Sequence, residues 1–145
     1  MIEVIEQFEP LWLAMAKTEL GQAEIPGSND NPRILEYHKT TTLKASDDEI
    51  AWCSSYVNWC MMKAGQIGTG SAQARSWLSW GKEIKIPTYG CVVIMSRADR
   101  HQGHVGFYMG RKPDDVIAIL GGNQGNTVSV AWFSIQKVLG YRWPA

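Results

Sequence analysis

The order of elements along the chain predicts an α+β fold, with helices in the first half and a mostly antiparallel sheet in the second. Three observations carry that expectation. Apolar residues recur at helical spacing over 9–21 and 52–64. Alternating or continuous β-rich runs occupy 91–97, 104–110, 116–122, 127–133 and 137–143. Turn-forming stretches, RKPDD and NQGN, separate the later runs. At 145 residues, 45% of them hydrophobic, the chain is expected to form one domain over 1–145 and to bury roughly 70% of its unfolded surface.

EPLWLAMAKTELG (9–21) reads as a helix in which Leu11, Ala14, Met15 and Thr18 share a face, with Pro10 in the first turn and Gly21 at the end. QAEIPGSND is a loop. Asn31 before Pro32 is a cap followed by a first-turn proline, so PRILEYHK starts a short helix. TTTLKASDDE is a connector. In 52–64, Cys53, Tyr56, Val57, Cys60 and Ala64 follow one helical stripe. This helix begins either near Trp52 or at a capping box formed by Ser46 and Glu49. GQIGTG breaks it, Ser71 caps a further helix through AQARSWLSW, and Gly81 stops that one. The strands follow.

Lys plus Arg and Asp plus Glu each number 14, which gives no electrostatic case for nucleic acid as a partner. No apolar run approaches the roughly 20 residues of a membrane span. The start, MIEVIEQFEP, is acidic and unlike a secretory signal. The chain is therefore expected to be made in a cytoplasm, with release or delivery needed for action elsewhere.

Three cysteines are an odd number, which excludes a full disulfide framework. Cys53 and Cys60, on one helix, would stand roughly 10.5 Å apart along its axis. That is too far for a shared zinc with bonds of about 2.3 Å, or for a disulfide whose Cα atoms rarely exceed about 7 Å. No metal or other cofactor is expected. Cys60 and Cys91 read as core. Cys53 at a helix start is favoured as an anion. His104 opens one strand and Asn123 ends the next, so a hairpin would set imidazole and carboxamide side by side. Pattern alone leaves Cys53 between a space-filling thiol and a nucleophile served by His104. Seven Trp supply candidates for core or groove walls, among them Trp52, Trp77 and Trp80.

WCSSYVNWC, GTGSAQARSWLSWG, GHVGFYMG, LGGNQGN and LGYRWP together resemble small bacterial and phage peptidoglycan hydrolases of the NlpC-type and CHAP superfamily of papain-like cysteine peptidases and amidases. The resemblance implies helices packed on a five- or six-stranded antiparallel sheet. It implies catalytic roles for Cys53, His104 and Asn123, with Gln124 as the fallback for the third. It also implies a substrate groove touched by Trp52, Ser54, Trp77 and Gln124, and Arg75 and Arg97 as candidates to meet stem carboxylates. The chain departs from the pattern in two places. Trp52 stands where many NlpC-type members have Asp, and Gly121 and Gly122 stand where many CHAP members carry Glu. The implied activity is hydrolysis of an amide in the peptide stem of peptidoglycan, by an endopeptidase in preference to an N-acetylmuramoyl-L-alanine amidase. A non-catalytic wall-binding module and a thiol acyltransferase or deamidating toxin are the alternatives. A monomer is expected, acting as an endolysin, an antibacterial effector with an immunity protein, or a housekeeping enzyme.

Overall fold

A computed structural model describes residues 8–26, 30–42, 51–97 and 103–145. Among them, three α-helices, α1 (Leu11–Thr18), α2 (Pro32–His38) and α3 (Cys53–Lys63), precede six strands, β1 (Lys82–Ile84), β2 (Val92–Ser96), β3 (Gly103–Lys112), β4 (Val116–Gly121), β5 (Ser129–Ser134) and β6 (Val138–Trp143). The strands form one sheet in the order β1-β6-β2-β3-β4-β5, and every pairing is antiparallel. The α+β, papain-like architecture expected from the sequence is therefore present, with six strands. No helix among the described residues is long and apolar enough to cross a membrane.

The helices cover one face of the sheet. Val92, Ile94, Val105, Phe107 and Leu120 meet Trp12, Leu13, Tyr37, Tyr56, Val57 and Cys60 in the main core. On the other face Cys91, Val93, Met95, Ile117 and Ile119 form a smaller cluster, joined by Phe133 and Tyr141. Residues one apart on a strand point to opposite faces, so both clusters arise from alternate positions of the same strands. This is why β2, buried on both sides, reads as a continuous apolar run.

Local differences from the expectation have physical causes. In α1 the buried residues are Trp12, Leu13 and Ala16, not the stripe through Leu11, Ala14, Met15 and Thr18. The Trp12 indole fixes the helix rotation, donating to the Gly90 carbonyl at 2.8 Å and meeting Trp143 edge-on at 5.0 Å. A large ring with a polar handle outweighs Leu11, left 54% exposed. Pro10 is the residue before the helix, not its first turn. Ala74–Ser79 is 3₁₀ rather than α. Ser71 Oγ accepts from the Gln73 N–H and so shapes the turn leading in. The three-residue β1, with two exposed positions, is an edge strand too short for alternation to reveal. The α2 cap is as expected, with the Asn31 side chain accepting from Arg33 N–H at 2.8 Å. The capping box of Ser46 and Glu49 lies outside the described residues.

Gly122 sits where helix and sheet touch. A Cβ there would stand 2.6 Å from Trp52 Cζ3 and 2.9 Å from Tyr56 Cβ, and both rings are fully buried. Gly122→Ala is expected to cost about 1–3 kcal/mol through overpacking, read as a lower urea midpoint with unchanged slope.

Candidate active site

α3 begins at Cys53, with Trp52 as the flanking residue and no side-chain cap. The first amide in the helical ladder is Tyr56 N–H, which donates to the Trp52 carbonyl at 2.9 Å. The N–H groups of Cys53, Ser54 and Ser55 lie ahead of it, at the positive end of the helix. Of the two possible starts, the structure has the one that leaves Cys53 in the first turn.

The three thiols, all unpaired and buried, differ in ionisation. Burial pushes Cys60 well above the usual thiol range, and it pushes Cys91 up to about 12. Burial raises Cys53 too. There it is more than offset by the neighbouring His104 imidazole, by the Val105 N–H and by the positive charge of Arg97, so the thiol falls below its ordinary value. Cys53 is 6% exposed, at the edge of the main core rather than sealed within it.

His104 pairs across the sheet with Met95, and its ring stacks on Phe133 with centroids 5.4 Å apart. Its Nε2 lies 2.9 Å from Gln124 Oε1. The Gln124 amide nitrogen donates to the Ile119 carbonyl at 3.1 Å and to the Ser129 carbonyl at 2.7 Å. With both amide hydrogens used, Oε1 can only accept, so Nε2 of His104 is the donor. The neutral ring then carries its lone pair on Nδ1, which is buried and has no hydrogen-bond partner among the described residues. Nδ1 is the nitrogen left for the thiol.

The third group brought to His104 is therefore Gln124 rather than Asn123. The β3–β4 register ends at Phe107 opposite Leu120, and the chain then turns at Asn123 in the left-handed region, φ 59°. This swings Asn123 to the wall of a neighbouring cavity and folds the longer Gln124 back beneath the sheet end. Gly121 makes the room, since a Cβ there would lie 2.5 Å from Gln124 Oε1. An Asn in an N-Q-G-N turn favours positive φ, and that signal could have moved the assignment one residue along.

Three expected groove residues are core instead. Trp52 is fully buried and donates to Glu24 Oε1 at 2.8 Å. Trp77 is fully buried and donates to Ser54 Oγ at 2.9 Å. Ser54, 1% exposed, donates in turn to the Ser71 carbonyl at 2.6 Å. Ser54 and Trp77 spend their polar atoms on holding the segment 71–77 to α3, and Trp52 spends its own on Glu24, so none of the three forms a surface a substrate can reach. Trp80, half-buried, packs against Trp77. The Arg75 stem lies against Gly103, whereas Arg97 is exposed and reaches the cavity.

That cavity, about 550 Å³, is walled by Met95, Ser96, Arg97, His104, residues 123–125, residues 131–133 and Lys137. Sequence reasoning missed Trp132, Phe133 and Lys137, because β5 is carried to His104 only through its pairing with β4. Among the described residues no group of three or more His, Cys, Asp or Glu side chains converges on a metal position.

A family model described as the CHAP domain matches residues 45–123, a span holding α3, β2 to β4 and both Cys53 and His104. No curated protein matches the chain.

Removing the imidazole leaves burial as the strongest influence on the Cys53 thiol. His104→Ala is expected to move its pKa from below the ordinary value to above it. The rate of alkylation by iodoacetamide, followed against pH with Cys60 and Cys91 replaced by Ala or Ser, should lose its acid-shifted onset.

Proposed function

The chain belongs to the CHAP domain family, and from that premise we propose that it is a cysteine hydrolase cutting an amide in the peptide stem of peptidoglycan through a thioester on Cys53. CHAP domains bring a peptidoglycan hydrolase or amidase type of function. The observation that carries the finer reading is the fixed tautomer of His104, held by a Gln124 amide that has no other orientation open to it.

The steps follow from that arrangement. The Cys53 proton passes to Nδ1, giving a thiolate and an imidazolium that still donates from Nε2 to Gln124. The sulfur attacks the amide carbon, and the oxyanion is met by the Cys53 N–H at the helix start; one such donor is worth roughly 10²–10³ in rate. The C–N bond breaks as Nδ1 returns its proton to the departing nitrogen. Water, losing a proton to Nδ1, then cleaves the thioester and releases the acid. No cofactor takes part. Gln124 is a positioning residue, and Asn123 has no part in the proton transfers.

An endopeptidase cut within the stem is the favoured form, and an N-acetylmuramoyl-L-alanine amidase cut is the alternative. The protein acts as a monomer on the periplasmic or extracellular wall, after release or delivery. As a delivered effector, it would require an immunity partner in the producing cell.

Cys53→Ala is expected to abolish release of soluble muropeptides from purified sacculi while leaving the thermal unfolding profile in place. The masses of the wild-type products identify the bond, and wild-type protein releasing nothing would overturn the proposal. Gln124→Leu is expected to lower kcat at least about 10²-fold and to alter the pH profile, whereas Asn123→Ala leaves kcat within a few-fold. Equal losses from the two variants would remove Gln124 from its role.

A further inference from the structure

The cavity beside the candidate pair is one-sided. His104 and Gln124 are among its walls, and Cys53 is not. A thiolate–imidazole pair divides its substrate in the same sense. The acyl half stays on the sulfur, and the amine half leaves with the proton of the ring, so the amine half must approach the imidazole. At about 550 Å³ the space lies within the usual range for a small ligand and has room for an amino acid or a short peptide.

Its charge is also one-sided. Arg97 and Lys137 line it, and among the described residues no Asp or Glu does. Neither cation belongs to an ion pair among the described residues. They are held on adjoining pieces of chain, because Ser96 Oγ donates to the Lys137 carbonyl at 3.4 Å. Phe133 supplies an apolar wall behind the imidazole, and Trp132, 54% exposed, is at the lip. Two cations over an apolar wall favour an anion, and a guanidinium matches a carboxylate through two parallel hydrogen bonds.

We propose that this cavity receives the amine half of the substrate and requires it to carry a free carboxylate, held by Arg97 and Lys137. The scissile nitrogen then belongs to an amino acid with an unblocked carboxylate at its C terminus or on its side chain. The inference rests on the acyl-transfer reading above and names the half of the substrate that decides which amide is cut.

The test uses a soluble stem peptide whose amine-side fragment ends in a carboxylate, beside the same peptide with that group converted to the amide. Wild-type kcat/KM is expected to be about tenfold higher for the carboxylate form, mostly through KM. Lys137→Gln and Arg97→Gln each narrow the gap, and the double variant cleaves both peptides alike. Arg97 also acts on the Cys53 thiolate, so Lys137→Gln is the cleaner reading. Binding is measured separately by titrating both peptides into Cys53→Ala while following the His104 imidazole protons by NMR. There the carboxylate form should bind about tenfold tighter, a preference lost when Lys137→Gln and Arg97→Gln are added. Absence of turnover by wild type, with that binding preference intact, would count against the proposed reaction and not against the cavity's assignment. Equal cleavage and equal binding of the two peptides, or a preference that survives in the double variant, would overturn the assignment.

Discussion

A side-chain amide with only one way to point governs this site. Gln124 spends both of its hydrogens on the main-chain carbonyls of Ile119 and Ser129, one from β4 and one from β5. The oxygen that remains dictates which nitrogen of His104 is protonated, and that in turn decides whether the thiol faces a base or a donor. Because those carbonyls belong to the sheet, the imidazole is aimed by the fold and not by a flexible loop. The neighbouring Phe133 ring stacked on His104 limits the remaining freedom of rotation.

The sulfur is prepared by opposing effects whose balance depends on place. Cys53, Cys60 and Cys91 are all buried, and burial alone disfavours the thiolate at each. Cys60 shares α3 with Cys53 but stands two turns in, where Glu19 adds to the cost of a negative charge. Only at the helix start do an imidazole, a main-chain N–H and a guanidinium meet the sulfur together. The helix end also leaves its first amides unclaimed by the ladder, so in the proposed reaction a single feature would favour both the thiolate and the oxyanion.

Much of this was legible in the sequence, and the illegible parts have a common cause. The change from helical to alternating periodicity points to the class, and the family follows from the resemblance carried by WCSSYVNWC, GTGSAQARSWLSWG, GHVGFYMG, LGGNQGN and LGYRWP. Cys53 and His104 could be singled out because each opens an element. Strand alternation points to Asn123 and not to Gln124, because it says nothing about a turn in which residues 123, 125 and 126 take positive φ. The family resemblance points to Trp52, Ser54 and Trp77 as groove residues, and nothing in their spacing separates a side chain that lines a cleft from one that braces the core. Their hydrogen bonds to Glu24, Ser71 and Ser54 separate the two cases. The walls from β5 and Lys137 depend on strand pairing, which the linear order does not encode.

Gly121 and Gln124 compete for space, since a methyl on the first would stand only 2.5 Å from the side-chain oxygen of the second. The two positions are therefore epistatic. A lineage that supplies the orienting group from the strand must keep residue 124 short or turned away, and one that supplies it from the turn must keep the strand bare. Passage between these solutions by single substitutions crosses a form with both groups colliding or with neither present. Gly121 and Gln124 should accordingly be inherited together, and grafting the glutamine alone onto a scaffold with a filled strand position would not reproduce the site.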